Sequence, residues 1–286
     1  MVTFEQLDAF DMLLWHRSGA QAALACICDE SSITRRVQAV QKAFGINLIR
    51  SQELRCVGDT SLLRLQRQVM QHARFQRKAE LRLDGTHLIR RHLASQPLQL
   101  WRLGPCDHRG DAVFHGFLKD RLLDAWITST IDDVPHGDGF AVIRLWGWPW
   151  CLAAHSCHPE ASERQPCFAA LSRYPSLSIP SSHYPNFAAQ LAAKGLGRGT
   201  SMRRFDRGPW DRMADDAKTL VYGSCLSLAD HDSLVKLNVD LGIPGGESLV
   251  VLAEWADHPA LQLLLEQLRL LQQQLQSRFP ELVGYL

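Results

Sequence analysis

The sequence predicts an α/β protein in three successive parts: a small helical head, one long polar helix, and a body in which strands and helices alternate. Three observations predict it. Apolar residues recur at helical spacing through the first 45 positions. No Pro or Gly interrupts Thr60 to Arg82. Beyond that, strand-like and helix-like segments follow one another as βαβαβ, the pattern of a parallel sheet.

In the head, Phe4, Leu7, Phe10 and Leu14 mark a first helix, and the small Ala22 and Ala23 let a second, short one pack closely. Ile33, Val37, Val40 and Phe44 stand at i, i+4, i+7 and i+11, an apolar stripe under a third helix placed at 31–44. Asp29, Ser31 and Ser32 can each cap its start, and Gly45 suits the left-handed residue after its end. The stripe leaves Ser31, Ser32, Thr34, Arg35, Arg36 and Gln38 largely facing solvent. Two short helices crossing through a tight turn, the second aimed outward, are the usual device for entering a DNA major groove. A hairpin around 46–57 follows, where Arg50 and Arg55 would meet the phosphate backbone. Charge is sparse for that purpose: residues 1–60 carry six Lys or Arg against seven Asp or Glu. Five cations against Glu80 alone follow over 61–80, so any basic footprint is local.

The uninterrupted helix over 60–82 shows Leu62, Leu65, Val69, Ala73 and Gln76 as a narrow seam between basic and Gln positions. So narrow a seam is covered most simply by a second copy of itself. A capping helix packed on its own chain is the alternative.

The body reads as a strand at Leu81–Asp84, a helix around 86–95, a strand at Leu98–Leu103, a helix around 111–120 and a strand at Leu122–Ser129. Parallel α/β sheets bind ligands outside the carboxyl ends of their strands, where helix N-termini offer N–H groups to anions. Thr86 and His87 occupy that place after the first strand, and Thr128 and Ser129 end the third. A small organic anion is the expected effector at these four. A cap or strand-end hydrogen bond without ligand is the alternative for each. Phe140–Leu152 reads as a hairpin or long strand whose Trp146, Trp148 and Trp150 share one face, as core or lobe interface rather than a stacking platform. The segment GESLVVL (246–252) reads as a last strand. Pro259 suits the first turn of a last helix, whose Leu261, Leu264, Leu265, Leu268 and Leu271 cover a sheet.

Other classes are disfavoured. No run approaches 18 apolar residues and no basic-then-apolar segment opens the chain, so a cytoplasmic protein with no membrane partner is expected. The eight cysteines (26, 28, 56, 106, 151, 157, 167 and 225) read as reduced thiols, with Cys26 and Cys28 as small buried hydrophobes ahead of redox sensors. Cys151, His155, Cys157 and His158 cluster, and Asp107 and His108 follow Cys106, but the paired spacings of a zinc site are missing. No metal and no cofactor are expected. Nucleophile-elbow, phosphate-loop and dinucleotide signatures are also missing, so the chain is not expected to be an enzyme.

The head resembles the LysR-type transcriptional regulators: Leu7, Phe10, Ala22, Ala23, Ile33, Thr34, Arg35, Val37, Val40, Phe44, Gly45 and Leu48 fall on that family's pattern without a gap. In the body, LLDAWITS (122–129), with Leu123, Asp124 and Ile127, is similar to a family strand. His158–Pro159 resembles the family's crossing into a second lobe, and the last strand and helix match its closing pair. The resemblance implies a winged helix-turn-helix over 1–59, a linker and dimerisation helix over 60–82, and a two-lobed, periplasmic-binding-protein-like effector domain over 83–275. Lobe I would take 83–160 and 241–275, lobe II 161–240, and a tail 276–286. It also implies double-stranded DNA, a small-molecule effector and a second copy (dimer or tetramer) as partners. Asp29 and Glu30 stand where the family has Ser-Gln, Gln41 replaces its Glu and Ser51 its Arg. Two carboxylates facing phosphate weaken binding. A second reading is therefore a diverged paralogue without operator recognition that binds a metabolite or a protein.

Overall fold

Helix α1 (Phe4–His16) begins in a capping box in which Thr3 and Gln6 satisfy each other's backbone N–H groups, and ends at Arg17 in the left-handed conformation. After α2 (Gly19–Ala25), helix α3 (Glu30–Phe44) runs from the Asp29 cap to Gly45, whose φ of 64° closes it. Strands β1 (Asn47–Arg50) and β2 (Leu54–Val57) form the antiparallel wing, Asn47 opposite Val57. The computed structural model describes residues 2–50, 54–96, 98–106, 111–129, 137, 139–177, 181, 184–197, 216–229 and 231–286. Two compact units emerge from its contacts.

The first unit comprises Met1–Asp84, Leu100–Pro105 and Gly116–Ala125, so the expected boundaries at 59/60 and 82/83 fall inside it. Leu7, Phe10 and Leu14 are buried as the spacing requires, but Phe4, in the first turn, is 53% exposed. Helix α4 (Ser61–Phe75) ends seven residues before the expected Arg82. The cause is local: Arg77 turns left-handed at φ 61° and Lys78 N–H donates to the Ala73 carbonyl, terminating the helix without Gly or Pro. Leu81 then already belongs to β3 (Leu81–Gly85), which pairs in parallel with β4 (Trp101–Leu103), Leu81 opposite Trp101. The expected strand start at Leu98 is corrected to Trp101, because Leu100 takes a positive φ of 67°.

Helix α1 is buried on two sides. Its apolar side packs on α2 and α3. Its other side carries Asp8, Asp11 and Trp15 at i, i+3 and i+7, and each meets a residue of β3. Arg82 donates to Asp8 at 2.6 Å and to Asp11 at 3.1 Å, while Trp15 Nε1 donates to Asp84 at 2.6 Å. Arg67 of α4 grips Asp11 at 2.6 and 2.8 Å, and Arg74 of α4 grips Asp124 at 2.7 and 2.8 Å. Attraction to Asp11, Asp8 and Asp124 outweighs the desolvation of buried Arg82 and raises its pKa above the ordinary guanidinium value. Gly104 is required beside this network, since a Cβ there would stand 2.6 Å from the Trp15 ring.

The second unit comprises Gly85–Gln99, Cys106–His115 and Trp126–Leu286. It contains α5 (His87–Ala94), most of β5 (Ala125–Thr128), β6 (Phe140–His155), β7 (Val221–Gly223) and β8 (Leu234–Leu252), in the sheet order β5-β8-β6-β7. The long strands β6 and β8 are antiparallel over their whole length, from Phe140 opposite Leu252 to His155 opposite Leu234. Their far ends enter an apolar core with Leu171, Leu177, Phe187, Leu191, Leu220 and Val221, drawn from the span expected as lobe II. Trp146 and Trp148 are buried, and Trp150 packs on Phe187 at 4.7 Å between ring centroids. Helix α10 (Pro259–Arg278; α6–α9 being Asp111–Lys119, Phe168–Leu171, Pro185–Ala193 and Cys225–Leu228) buries Leu261, Leu264, Leu268 and Leu271. Within the expected tail at 276–286, Val283–Gly284 forms β9 on β6, opposite Gly147 and Trp146. No described helix is long and apolar enough to cross a membrane.

Candidate nucleic-acid interface and effector site

Helix α3 turns Ile33, Val37 and Val40 into the head and leaves Ser31, Thr34, Arg35 and Gln38 exposed on the opposite side, with Ser32 and Arg36 half-buried at its margins. Asp29, exposed at the helix start, is its N-cap. It accepts from Ser32 N–H at 2.8 Å, Ser31 Oγ at 2.5 Å and Ser32 Oγ at 2.9 Å, and these bonds hold its carboxyl far below the usual range. Ser32 Oγ in turn accepts from Arg35 at 3.0 Å. Thr34 spends its hydroxyl proton on the Glu30 carbonyl at 3.0 Å, so it presents only acceptor lone pairs outward. Glu30 bends toward the start of α2, where a Cβ at Gly19 would lie 3.1 Å from its Oε2. A carboxylate at a helix N-terminus is favourably placed.

The acids of the head fall into two groups, those matched by cations and those at helix starts. Asp8 and Asp11 are matched by Arg67 and Arg82, Asp29 caps α3, and Asp59 accepts from Ser61 at the start of α4. Arg35, Arg50, Arg55 and Lys42 remain exposed. Arg50 donates to the Arg17 carbonyl at 3.3 Å, Arg36 to Cys28 Sγ at 3.9 Å, and Arg55 has no partner among the described residues. Lys42, one turn beyond Gln38 on the outward face, was missed in the sequence, although its i+4 spacing from Gln38 signals it.

On α4, the exposed seam is Leu62, Leu65 and Val69, at 64%, 60% and 58% exposure, while Leu63, Arg67, Met70, Gln71, Arg74 and Phe75 are buried in their own chain. One face of α4 thus packs on its own chain, as the capping alternative has it, and the opposite face carries the exposed apolar seam.

In the second unit the structure brings Thr86 and Ser129 together, their hydroxyls 2.5 Å apart. Thr86 is the N-cap of α5 yet makes no side-chain cap bond, because its hydroxyl is turned to Ser129. Thr128 is buried but takes no part in this pair, as strand alternation requires of the preceding residue. The side chain of His87 lies outside the described residues. Ser129 leads inward to a group the sequence reading missed: its Oγ lies 2.8 and 3.0 Å from the two oxygens of Glu247 on β8. Glu247 is 1% exposed, and burial pushes its carboxyl up to about 8 against the opposing Ser129 hydrogen bond. The available signal was a single acid in an otherwise apolar strand segment. Buried nearby on β5 and β6, the indole N–H groups of Trp126 and Trp146 lack acceptors among the described residues.

The cysteine readings change in part. All eight thiols are free, and Cys26 and Cys28 are half-exposed rather than buried, at the α2–α3 turn. Burial, with Asp8 beside it, raises the Cys26 thiol to about 12, the opposite of a reactive thiolate. Among the described residues no three His, Cys, Asp or Glu gather as metal ligands; Asp107 and His108 lie outside them.

No family model matches the chain. No curated protein matches it either. Solved structures do, over nearly their whole length. The chain is similar to a full-length, singly substituted OxyR of Pseudomonas aeruginosa at a TM-score of 0.57 and 14% identity, covering 94% of this chain and 98% of that one. It is similar to CbnR, described as a LysR family transcriptional regulator, at 0.56 and 17% identity, covering 94% and 99%. Full-length CbnR in complex with its target DNA matches at 0.55 and 16% identity, again over 94% and 99%. The α/β architecture, with its helix-turn-helix head, wing and mixed-sheet body, is therefore the fold of these full-length regulators.

Proposed function

We propose that this chain is a DNA-binding regulator of transcription, not an enzyme, which self-associates and responds to a small molecule bound in its body. The observation that carries this reading is the outward face of α3: Ser31, Thr34, Arg35 and Gln38 stand opposite the buried stripe, with Ser32 and Arg36 flanking them. A polar helix of this kind enters the major groove while wing cations, here Arg50 and Arg55, contact phosphate. The full-length similarity to CbnR seen with its target DNA supports double-stranded DNA as the partner. The alternative of lost operator recognition rests on Asp29 and Glu30, which stand exposed at the start of α3, Asp29 as its cap and Glu30 in its first turn. A regulator acting on DNA in this way works in the cytoplasm.

The exposed Leu62, Leu65 and Val69 seam supports pairing of α4 with a second copy, giving a dimer or tetramer. We assign the effector to Thr86, His87, Thr128 and Ser129, with a small anion as the ligand class, on the strength of the Thr86–Ser129 hydroxyl pair at the start of α5. Ligand would act by shifting the balance between conformations of the assembly.

A gel-shift against the DNA flanking its own gene, repeated over a salt series, tests the central claim. Affinity for one segment should fall steeply with salt. Arg35→Ala should weaken that binding by about 1–3 kcal/mol if Arg35 reads a base. Equal binding to every segment would defeat operator recognition.

A further inference from the structure

Glu247 is a buried acid that the DNA-reading role does not use, and it stands at the inner end of a chain of hydroxyls. The order is Glu247, Ser129, Thr86, with separations of 2.8 and 3.0 Å from the carboxyl oxygens to Ser129 Oγ and 2.5 Å from Ser129 Oγ to Thr86 Oγ1. Exposure rises along it, from 1% at Glu247 and 3% at Ser129 to the half-buried Thr86. Each hydroxyl has one proton to donate, so the direction of the whole chain is set at one end.

If Glu247 is ionised it can only accept. Ser129 then donates inward, Thr86 donates to Ser129, and Thr86 presents lone pairs outward. Only if Glu247 holds a proton can it donate to Ser129, so that Ser129 donates to Thr86 and the Thr86 proton is free for a ligand. We propose that Glu247, acting through Ser129, sets the polarity of the Thr86 hydroxyl, so that a carboxylate bound at Thr86 is held together with a proton on Glu247. This rests on the reading of Thr86 and Ser129 as the effector site.

The surroundings favour the protonated form. On β6 the register partner of Glu247 is Trp146, on β5 its contact is Ser129, and on α5 the chain ends at Thr86. Among the described residues no cation or second acid acts on the carboxyl, and burial alone drives it upward. A carboxylate ligand adds a further negative charge at the far end of the hydroxyl chain, which strengthens the hold on that proton. Above about pH 8, binding must therefore take up one proton from water. An amine ligand would need the reverse polarity. Glu247 is in this sense a positioning residue, because it acts on the ligand only through Ser129 and Thr86.

The test uses the full chain with sodium acetate as the carboxylate probe and methylammonium chloride at equal ionic strength as the cationic control, followed by thermal shift between pH 6 and 9.5. Acetate should stabilise the wild type, methylammonium should not, and Thr86→Val should abolish the response. The apparent acetate affinity should be level below about pH 8 and fall about tenfold per pH unit above it. In Glu247→Gln, whose amide can donate to Ser129 and does not titrate, the profile should be flat. Infrared spectra should show a protonated carboxyl band at pH 7 that Glu247→Gln removes. Acetate binding with a level wild-type profile, or with the same slope in Glu247→Gln, overturns the proposal while the effector site stands. No acetate response, or one that survives Thr86→Val, overturns the effector site itself and the proposal with it.

Discussion

Asp11 in the first unit and Glu247 in the second are equally hidden from water, at 0% and 1% exposure, yet their surroundings are opposite. Asp11 is held by two guanidinium groups, Arg67 at 2.6 Å and Arg82 at 3.1 Å, with Arg82 also reaching Asp8. Glu247 has a hydroxyl alone. A buried charge must either find a counter-charge or give up its ionisation, and this chain does one in each place. The difference separates a paired acid from one whose charge state is open to change. The ion pairs tie α1 and α4 to β3, whereas burial pushes the lone carboxyl up to about 8.

The largest effect should come from breaking the paired site. Arg82→Met leaves Asp8 and Asp11 without their shared partner and should cost about 3–5 kcal/mol, read from urea unfolding monitored at the tryptophans. A loss under about 1 kcal/mol would show that the network is ornamental. Next comes the unpaired site. Because burial raises the folded-state pKa of Glu247 from 4.5 to about 8, the folded chain holds a proton that the unfolded chain releases. Stability should therefore decline by about 1.4 kcal/mol per pH unit through that window, relative to Glu247→Gln, in which this slope should vanish. Parallel pH profiles for the two proteins would place Glu247 among the ordinary exposed acids. The smallest effect concerns a carboxylate at the surface: Asp29→Ala should destabilise by about 1 kcal/mol through the lost α3 cap. It should also free Ser32 and Arg35 from their fixed arrangement, so its DNA affinity should change as well as its melting temperature. Unaltered melting would mean that Asp29 is not acting as a cap.

Local signals were readable wherever one element's own residues fixed it. The Ile33, Val37 and Val40 stripe and Gly45 located α3 to within one residue, and Pro259 located the start of α10. The wing hairpin was likewise legible. The end of α4 was not, since Arg77 adopts its left-handed turn without any helix-breaking residue. Cys26 and Cys28 read as buried because they take the Leu and Val positions of the resembled pattern, yet the turn leaves them half in solvent. Of the residues proposed for the effector, Thr86 and Ser129 follow from strand-end logic. Glu247 does not, because it lies 118 positions from Ser129 along the chain.

Spacing and caps alone determined the helix-turn-helix, the wing and the strand–helix alternation, because each depends on contacts within a few residues or on the period of an apolar face. Only tertiary structure decided which charges matter. Opposite charges and hydroxyls far apart in sequence acquire partners when strands and helices pack, and in low dielectric the partner, not the residue type, sets whether an acid is a fixed anion or a proton carrier.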